Sequence, residues 1–130
     1  MPWWNAVRQV LVVGNTLMTP GRGMQGMGQR PFIVEGIEPD KILVHSGNHK
    51  IPLSIQCFDA IEQAFRHDPH IKLRIASLHS NEAFPDSADA VIREATQSSL
   101  ARGNYVCSIL VHCKLVKYVM QGGRKCISLH

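Results

Sequence analysis

Seven histidines and four cysteines are the side chains here best suited to metal binding or nucleophilic work. His45 and His49 flank a turn, His67 and His70 flank Asp68-Pro69, and His112 stands beside Cys113. A structural zinc needs a closed set of four ligands, usually announced by Cys-x-x-Cys knuckles. The chain has no such knuckle, so these histidines read as surface residues and no metal is expected. Cys57 near Asp59 has the form of a nucleophile–base pair, but Cys57 precedes Phe58 on a helical face. Burial there raises a thiol's pKa and makes it inert. The carboxylate pairs Asp59/Glu62 and Asp86/Asp89 sit three apart, which places each pair on one helical face as solvated or helix-initiating charge. Gly21-Arg22-Gly23-Met24-Gln25-Gly26 has the letters of a dinucleotide-binding loop. Gly28 and Pro31 follow it where that loop needs a helix, so it reads as a mobile basic loop whose Arg22 and Arg30 can touch phosphate. No cofactor is expected, and the chain reads as non-catalytic.

Charge carries more information. The 130 residues hold 14 Lys and Arg against 10 Asp and Glu, a net +4. Residues 1–34 carry Arg8, Arg22 and Arg30 with no acid, and residues 95–130 carry Arg102, Lys114, Lys117, Arg124 and Lys125 with no acid. All the carboxylates fall between Glu35 and Glu94, a stretch of net −4. An acid-free basic terminal third attracts phosphate backbones, with an affinity that weakens as salt rises. The bland alternative is a solvated basic face balanced by the acidic middle.

Length and composition set the frame for these residues. One domain is expected over 1–130, because domains usually run to ~100–150 residues. With 45% hydrophobic and 18% charged residues, the chain is not disordered, collagen-like or a disulfide-dense miniprotein. Met1-Pro2-Trp3-Trp4 lacks a basic region ahead of an unbroken apolar stretch, so it resembles neither a signal peptide nor a membrane span. A cytoplasmic location is the expectation.

The apolar positions 3, 4, 7, 10, 11 and 17 follow helical spacing and predict an N-terminal helix that frays near Gly14 and stops before Pro20. Val10–Val13 would also suit a short strand. Phe32–Ile37 and Lys41–His45 read as strands joined by Glu38-Pro39-Asp40, with a third strand near Lys50–Leu53 that Pro52 assigns to a sheet edge. Ser54 can cap a helix to about His67. Residues 71–78 suit a strand or a short helix. Pro85-Asp86 opens a second helix with Ala88, Val91, Ile92 and Ala95 aligned, and a third begins at Ser99 or Asn104. Leu115–Met120 and Lys125–Leu129, joined through Gln121-Gly122-Gly123-Arg124, make a hairpin.

The last third has the densest pattern: a capped helix over Val106–Cys113, then Lys114-Leu115-Val116, then a hairpin with paired glycines and basic residues at its tip. It resembles the recognition helix and wing of winged-helix DNA-binding proteins over roughly residues 98–130, with the helices at 54–67 and 86–97 completing the unit. Two features depart from that family. Lys114 stands where glycine commonly follows the recognition helix, and the 68–85 connection is long enough to hold a strand. The resemblance implies that Arg102, Asn104, Tyr105 and Ser108 face base edges in a major groove. It also implies that Lys114, Lys117, Arg124 and Lys125 lie on phosphates.

The fold class expected is α+β: an N-terminal helix, an antiparallel β-meander, a helical middle, and a C-terminal helix plus β-hairpin. Residues 1–53 form the helix and meander, and residues 54–130 the winged-helix-like portion. The function expected is a small DNA-binding regulator with double-stranded DNA as partner and no membrane association. Trp3, Trp4 and Val7 either complete the core or form the contact of a homodimer. The alternative is a homo-oligomeric interaction or ligand-binding module without nucleic acid.

Overall fold

The computed structural model describes residues 2–75 and 86–130. It is an α+β fold with four helices and two antiparallel sheets among the described residues. Helix α1 (Pro2–Val10) opens on proline, whose fixed φ and missing N–H suit a first helical turn. The Trp3 amide, one of the orphan donors of that turn, donates to Glu62 Oε1 at 3.1 Å. Glu62 is 1% exposed and also ion-pairs with Arg66 at 2.6 Å. An acid on the next helix therefore closes the start of this one.

The expected continuation of α1 through Leu17 is not what forms. The helix ends at Val10, and strand β1 (Thr16–Met18) follows. The Gly14 amide donates to the Val34 carbonyl, and the Val34 amide donates to the Asn15 carbonyl. Ladder bonds to a distant strand thus replace helical ones, at a β-branched run and a glycine with φ +96° where the helix is weakest. β1 pairs with β2 (Pro31–Ile37), β2 with β3 (Lys41–Ser46), and β3 with β4 (His49–Ser54), in spatial order β1-β2-β3-β4. Alternation places Leu17, Phe32, Val34, Ile42, Val44 and Leu53 on the buried face. β4 is the far edge, as Pro52 required.

Helix α2 (Ile55–His67) buries Cys57, Phe58, Ile61 and Phe65. Of the 71–78 segment, β5 (Leu73–Arg74) is a strand, while residues 76–78 and Pro85 lie outside the described residues. Helix α3 (Ala88–Thr96) is capped by Ser87, whose Oγ accepts the Ala90 amide at 3.0 Å. Its buried face is Ala88, Asp89 and Ile92, with Ala95 exposed. Helix α4 (Gly103–His112) buries Val106 through Leu110 without interruption. The hairpin β6 (Val116–Gln121) and β7 (Arg124–Leu129) turns through Gly122 and Gly123, both at positive φ, the turn that matches strand twist. β5 adds to β7, giving the order β5-β7-β6. One continuous apolar core joins both sheets and the four helices. No helix among the described residues is long and apolar enough to cross a membrane.

The α3–α4 junction depends on one glycine and one acid. A Cβ at Gly103 would lie 2.7 Å from the Ile75 carbonyl oxygen and 3.0 Å from Asp89 Cβ. Asp89 is fully buried, and its Oδ1 accepts the amides of Arg102 at 3.2 Å and Gly103 at 3.1 Å. Its Oδ2 lies 2.9 Å from the Arg93 guanidinium. A carboxylate on α3 therefore does for α4 what a local cap would do.

Candidate nucleic-acid interface

The two halves of the chain meet along a cleft of about 1460 Å³. One wall is built from the β1–β2 connection and the β3–β4 hairpin, and carries Arg22, Arg30 and Lys50. The other is built from β5, the start of α4 and the tip of the β6–β7 hairpin, and carries Arg74, Arg102, Arg124 and Lys125. Seven cations line it, with no carboxylate among the described lining residues. Lys50 is paired with Glu35 at 3.4 Å and Arg74 with Asp86 at 3.6 Å, both acids lying outside the lining.

The glycine-rich connection is hydrogen-bonded within itself and to its neighbours. Arg22 and Met27 exchange both backbone hydrogen bonds, at 2.7 and 2.9 Å. Thr19 Oγ1 accepts the Arg30 amide at 2.8 Å, and the Lys125 ammonium donates to the Pro20 carbonyl at 2.6 Å. A strand follows rather than a helix, so the dinucleotide-loop geometry does not arise here. Lys125 also lies over the Tyr118 ring, 4.3 Å from its centroid. Burial pulls the Lys125 pKa below the ordinary lysine value.

The residues expected to read bases are not alike in their surroundings. Asn104 is exposed and lines the cleft. Arg102 is 7% exposed, and its Nη2 donates to Thr96 Oγ1 at 2.7 Å. Its Nε is buried and has no hydrogen-bond partner among the described residues, and none of the ion pairs found there includes it. Tyr105 stands edge-on to Phe32, with ring centroids 5.2 Å apart. Ser108 is buried and donates its hydroxyl to the Met18 carbonyl at 2.5 Å. Strands β1 and β2 thus cover the middle of the α4 face that the resemblance assigns to base edges.

The cations expected on phosphates divide as well. Arg124 and Lys125 line the cleft, whereas Lys114 and Lys117 are exposed outside it. Lys114 adopts φ +60°, the left-handed cap that glycine commonly supplies. Trp4 and Val7 lie inside the single-chain core, at 5% and 0% exposure, with Trp4 against Phe58 at 5.5 Å. Trp3 is half-buried against Phe65. Lys50 and Arg74 were not singled out from sequence as site residues. The alternating apolar and basic residues at 71–75 are the signal that could have found Arg74.

No group of three or more His, Cys, Asp or Glu side chains among the described residues is placed to hold a metal ion. Burial pushes the Cys113 thiol up to about 11 and raises Cys126. Cys107 is raised further, by burial and then by the charge of Asp89. These three thiols stay protonated at neutral pH and are poor nucleophiles there. Cys57 is buried, with its sulfur 3.6 Å from Ser54 Oγ.

Comparison with models of protein families, with curated proteins and with solved structures finds no match to this chain.

Proposed function

We propose that the chain is a non-catalytic nucleic-acid-binding protein that holds the phosphate backbone in its basic cleft. The observation that carries this reading is the lining itself: among the described residues, seven cations gathered from five separate segments, with no carboxylate. Charges of one sign on concave, low-dielectric walls focus potential and draw polyanions. Among the described residues, the order helix, strand, helix, helix, hairpin over residues 55–129 supports the winged-helix resemblance, and with it nucleic acid as partner and a regulatory role. The covered middle of α4 favours phosphate binding over base reading, so sequence discrimination is expected to be weak. A homodimer belongs to this reading too. With Trp4 and Val7 internal, Trp3 and the exposed Val10, Val12 and Val13 offer its apolar surface, and sedimentation velocity tests it.

Fluorescence anisotropy with labelled DNA over a salt series tests the reading. Each phosphate neutralised on a duplex adds about −0.9 to the slope of log K against log salt. Neutralising about four phosphates therefore gives a slope of roughly −3.6. Arg124→Ala/Lys125→Ala is expected to weaken binding and flatten the slope by about 1–2. Absence of binding to any DNA or RNA at low salt refutes the reading.

A further inference from the structure

The shape of the cleft says which form of nucleic acid it takes, given the nucleic-acid reading above. A duplex is read by a helix or ribbon that projects into its major groove. Here α4 exposes Asn104 and His112 near its two ends, and everything from Val106 to Leu110 is buried. The cations do not project either. They face a concavity from two walls, Arg22 and Arg30 on one and Arg124 and Lys125 on the other.

Three further features of the lining suit an unpaired strand. Tyr105 presents a half-buried aromatic ring held edge-on against Phe32. Met27 and Leu100 are large apolar side chains left 66% and 57% exposed in the same cleft. Sites for single strands combine a positive groove along the backbone with aromatic rings on which unstacked bases stack, the part Tyr105 can play. Exposed apolar side chains beside such a ring extend the surface that bases can cover. Paired bases are stacked inside their helix and offer no free face to such surfaces. Finally, Arg102 holds a charge in the cleft lining with no carboxylate ion pair among the described residues. A buried cation without a counter-ion is costly, and a phosphate brought into the cleft offsets that cost.

We propose that the cleft binds a short unpaired stretch of single-stranded nucleic acid, DNA or RNA, with its backbone between the Arg22/Arg30 wall and the Arg124/Lys125 wall. Bases then rest on Tyr105, Met27 and Leu100. A duplex meets only the rim.

The test uses the full chain with four labelled ligands: a ten-nucleotide oligo-dT, the matching oligo-rU, a mixed-sequence duplex, and an abasic decamer carrying the same phosphates. The expected result is that dT or rU binds at least tenfold more tightly than duplex and at least fivefold more tightly than the abasic chain. Affinity across a series of shorter dT ligands should plateau near four nucleotides, the low end of the range for a single groove. Arg22→Ala/Arg30→Ala alters two exposed side chains and is expected to weaken dT binding at least fivefold. Its salt slope should fall by about 1.4, or about 0.7 for each single-strand phosphate that is no longer neutralised. A further comparison of oligo-dU with oligo-rU, which differ only at the 2′ position, identifies the preferred sugar. A single-strand to duplex ratio below ten, or an unchanged Arg22→Ala/Arg30→Ala variant, overturns the inference while the nucleic-acid reading stands. No binding to any of the four ligands overturns both.

Discussion

Replacing Asp89 by asparagine tests how the α3–α4 junction, and with it one wall of the cleft, is held. The carboxylate is fully buried, accepts two amides from the start of α4 and ion-pairs with Arg93. Asparagine keeps Oδ1 and can keep both amide bonds, but it turns an N–H₂ group toward a guanidinium whose side chain is 11% exposed. Breaking one side of a buried pair costs ~3–5 kcal/mol. Two surviving amide bonds and the further interactions of Arg93 place Asp89→Asn at the low end, about 3 kcal/mol. For a domain of this size that is a fall in Tm of roughly 10–15 °C, followed by circular dichroism with urea unfolding as a second measure. If the destabilisation arises from the pair, Arg93→Met should couple to it. The double variant should then be at least ~1 kcal/mol more stable than the sum of the two single effects predicts. A cost below about 1 kcal/mol for Asp89→Asn, or additive single effects, refutes the assignment of the buried Asp89–Arg93 pair as a stabilising part of the junction.

Three other outcomes follow from single positions. Gly103→Ala is expected to cost ~1–3 kcal/mol in urea unfolding, because the new methyl meets the Ile75 carbonyl at 2.7 Å, and backbone cannot step aside as a flexible side chain can. Lys114→Gly should instead stabilise by about 0.5–1 kcal/mol, since it relieves a left-handed φ of +60° at the end of α4. As Lys114 is outside the cleft, the same variant should leave oligo-dT affinity within twofold. Cys113 is pushed from 9.0 to about 11 by burial, so its folded pKa lies above its unfolded one. The unfolded chain loses that proton first, and the stability Cys113 contributes is lost as pH rises from about 9 towards 11. Alkylation mapped by mass spectrometry at pH 8 should label Cys113 much more slowly in the native protein than in urea. Equal rates would contradict its burial.

What could be read in the sequence divides by range of interaction. The β2–β3–β4 meander is local: alternating apolar residues, a proline-led turn and Pro52 at an edge specify it with little help from elsewhere. The terminal hairpin is equally local, its two glycines supplying the positive φ values the turn demands. β1 is different. Val10–Leu17 carries a helical apolar pattern, and only pairing with residues 31–34, well beyond the intervening loop, decides for strand. Periodicity is blind to a partner at that distance. The same blindness applied to α4, whose apolar stripe and flanking polar residues are compatible with an open reading face until β1 and β2 are laid across it.

The cleft shows how such non-local packing creates what no segment contains. The basic ends and acidic middle were visible as a charge asymmetry, yet Lys50 and Arg74 come from the acidic middle and still line the basic cleft. Their partners Glu35 and Asp86 lie outside the lining, where they neutralise a rim without entering it. Fixing Lys125 on the Pro20 carbonyl joins the hairpin tip to the β1–β2 connection, residues 105 positions apart. That hydrogen bond ties the rims of the two basic walls together, above the contacts of Ser108 with Met18 and Tyr105 with Phe32. Like charges so placed repel across the cleft, and the fold tolerates this because the apolar core beneath joins both halves. A bound polyanion removes the repulsion. Raising salt should therefore stabilise the free protein while weakening its complex, two opposite slopes from one arrangement of charge.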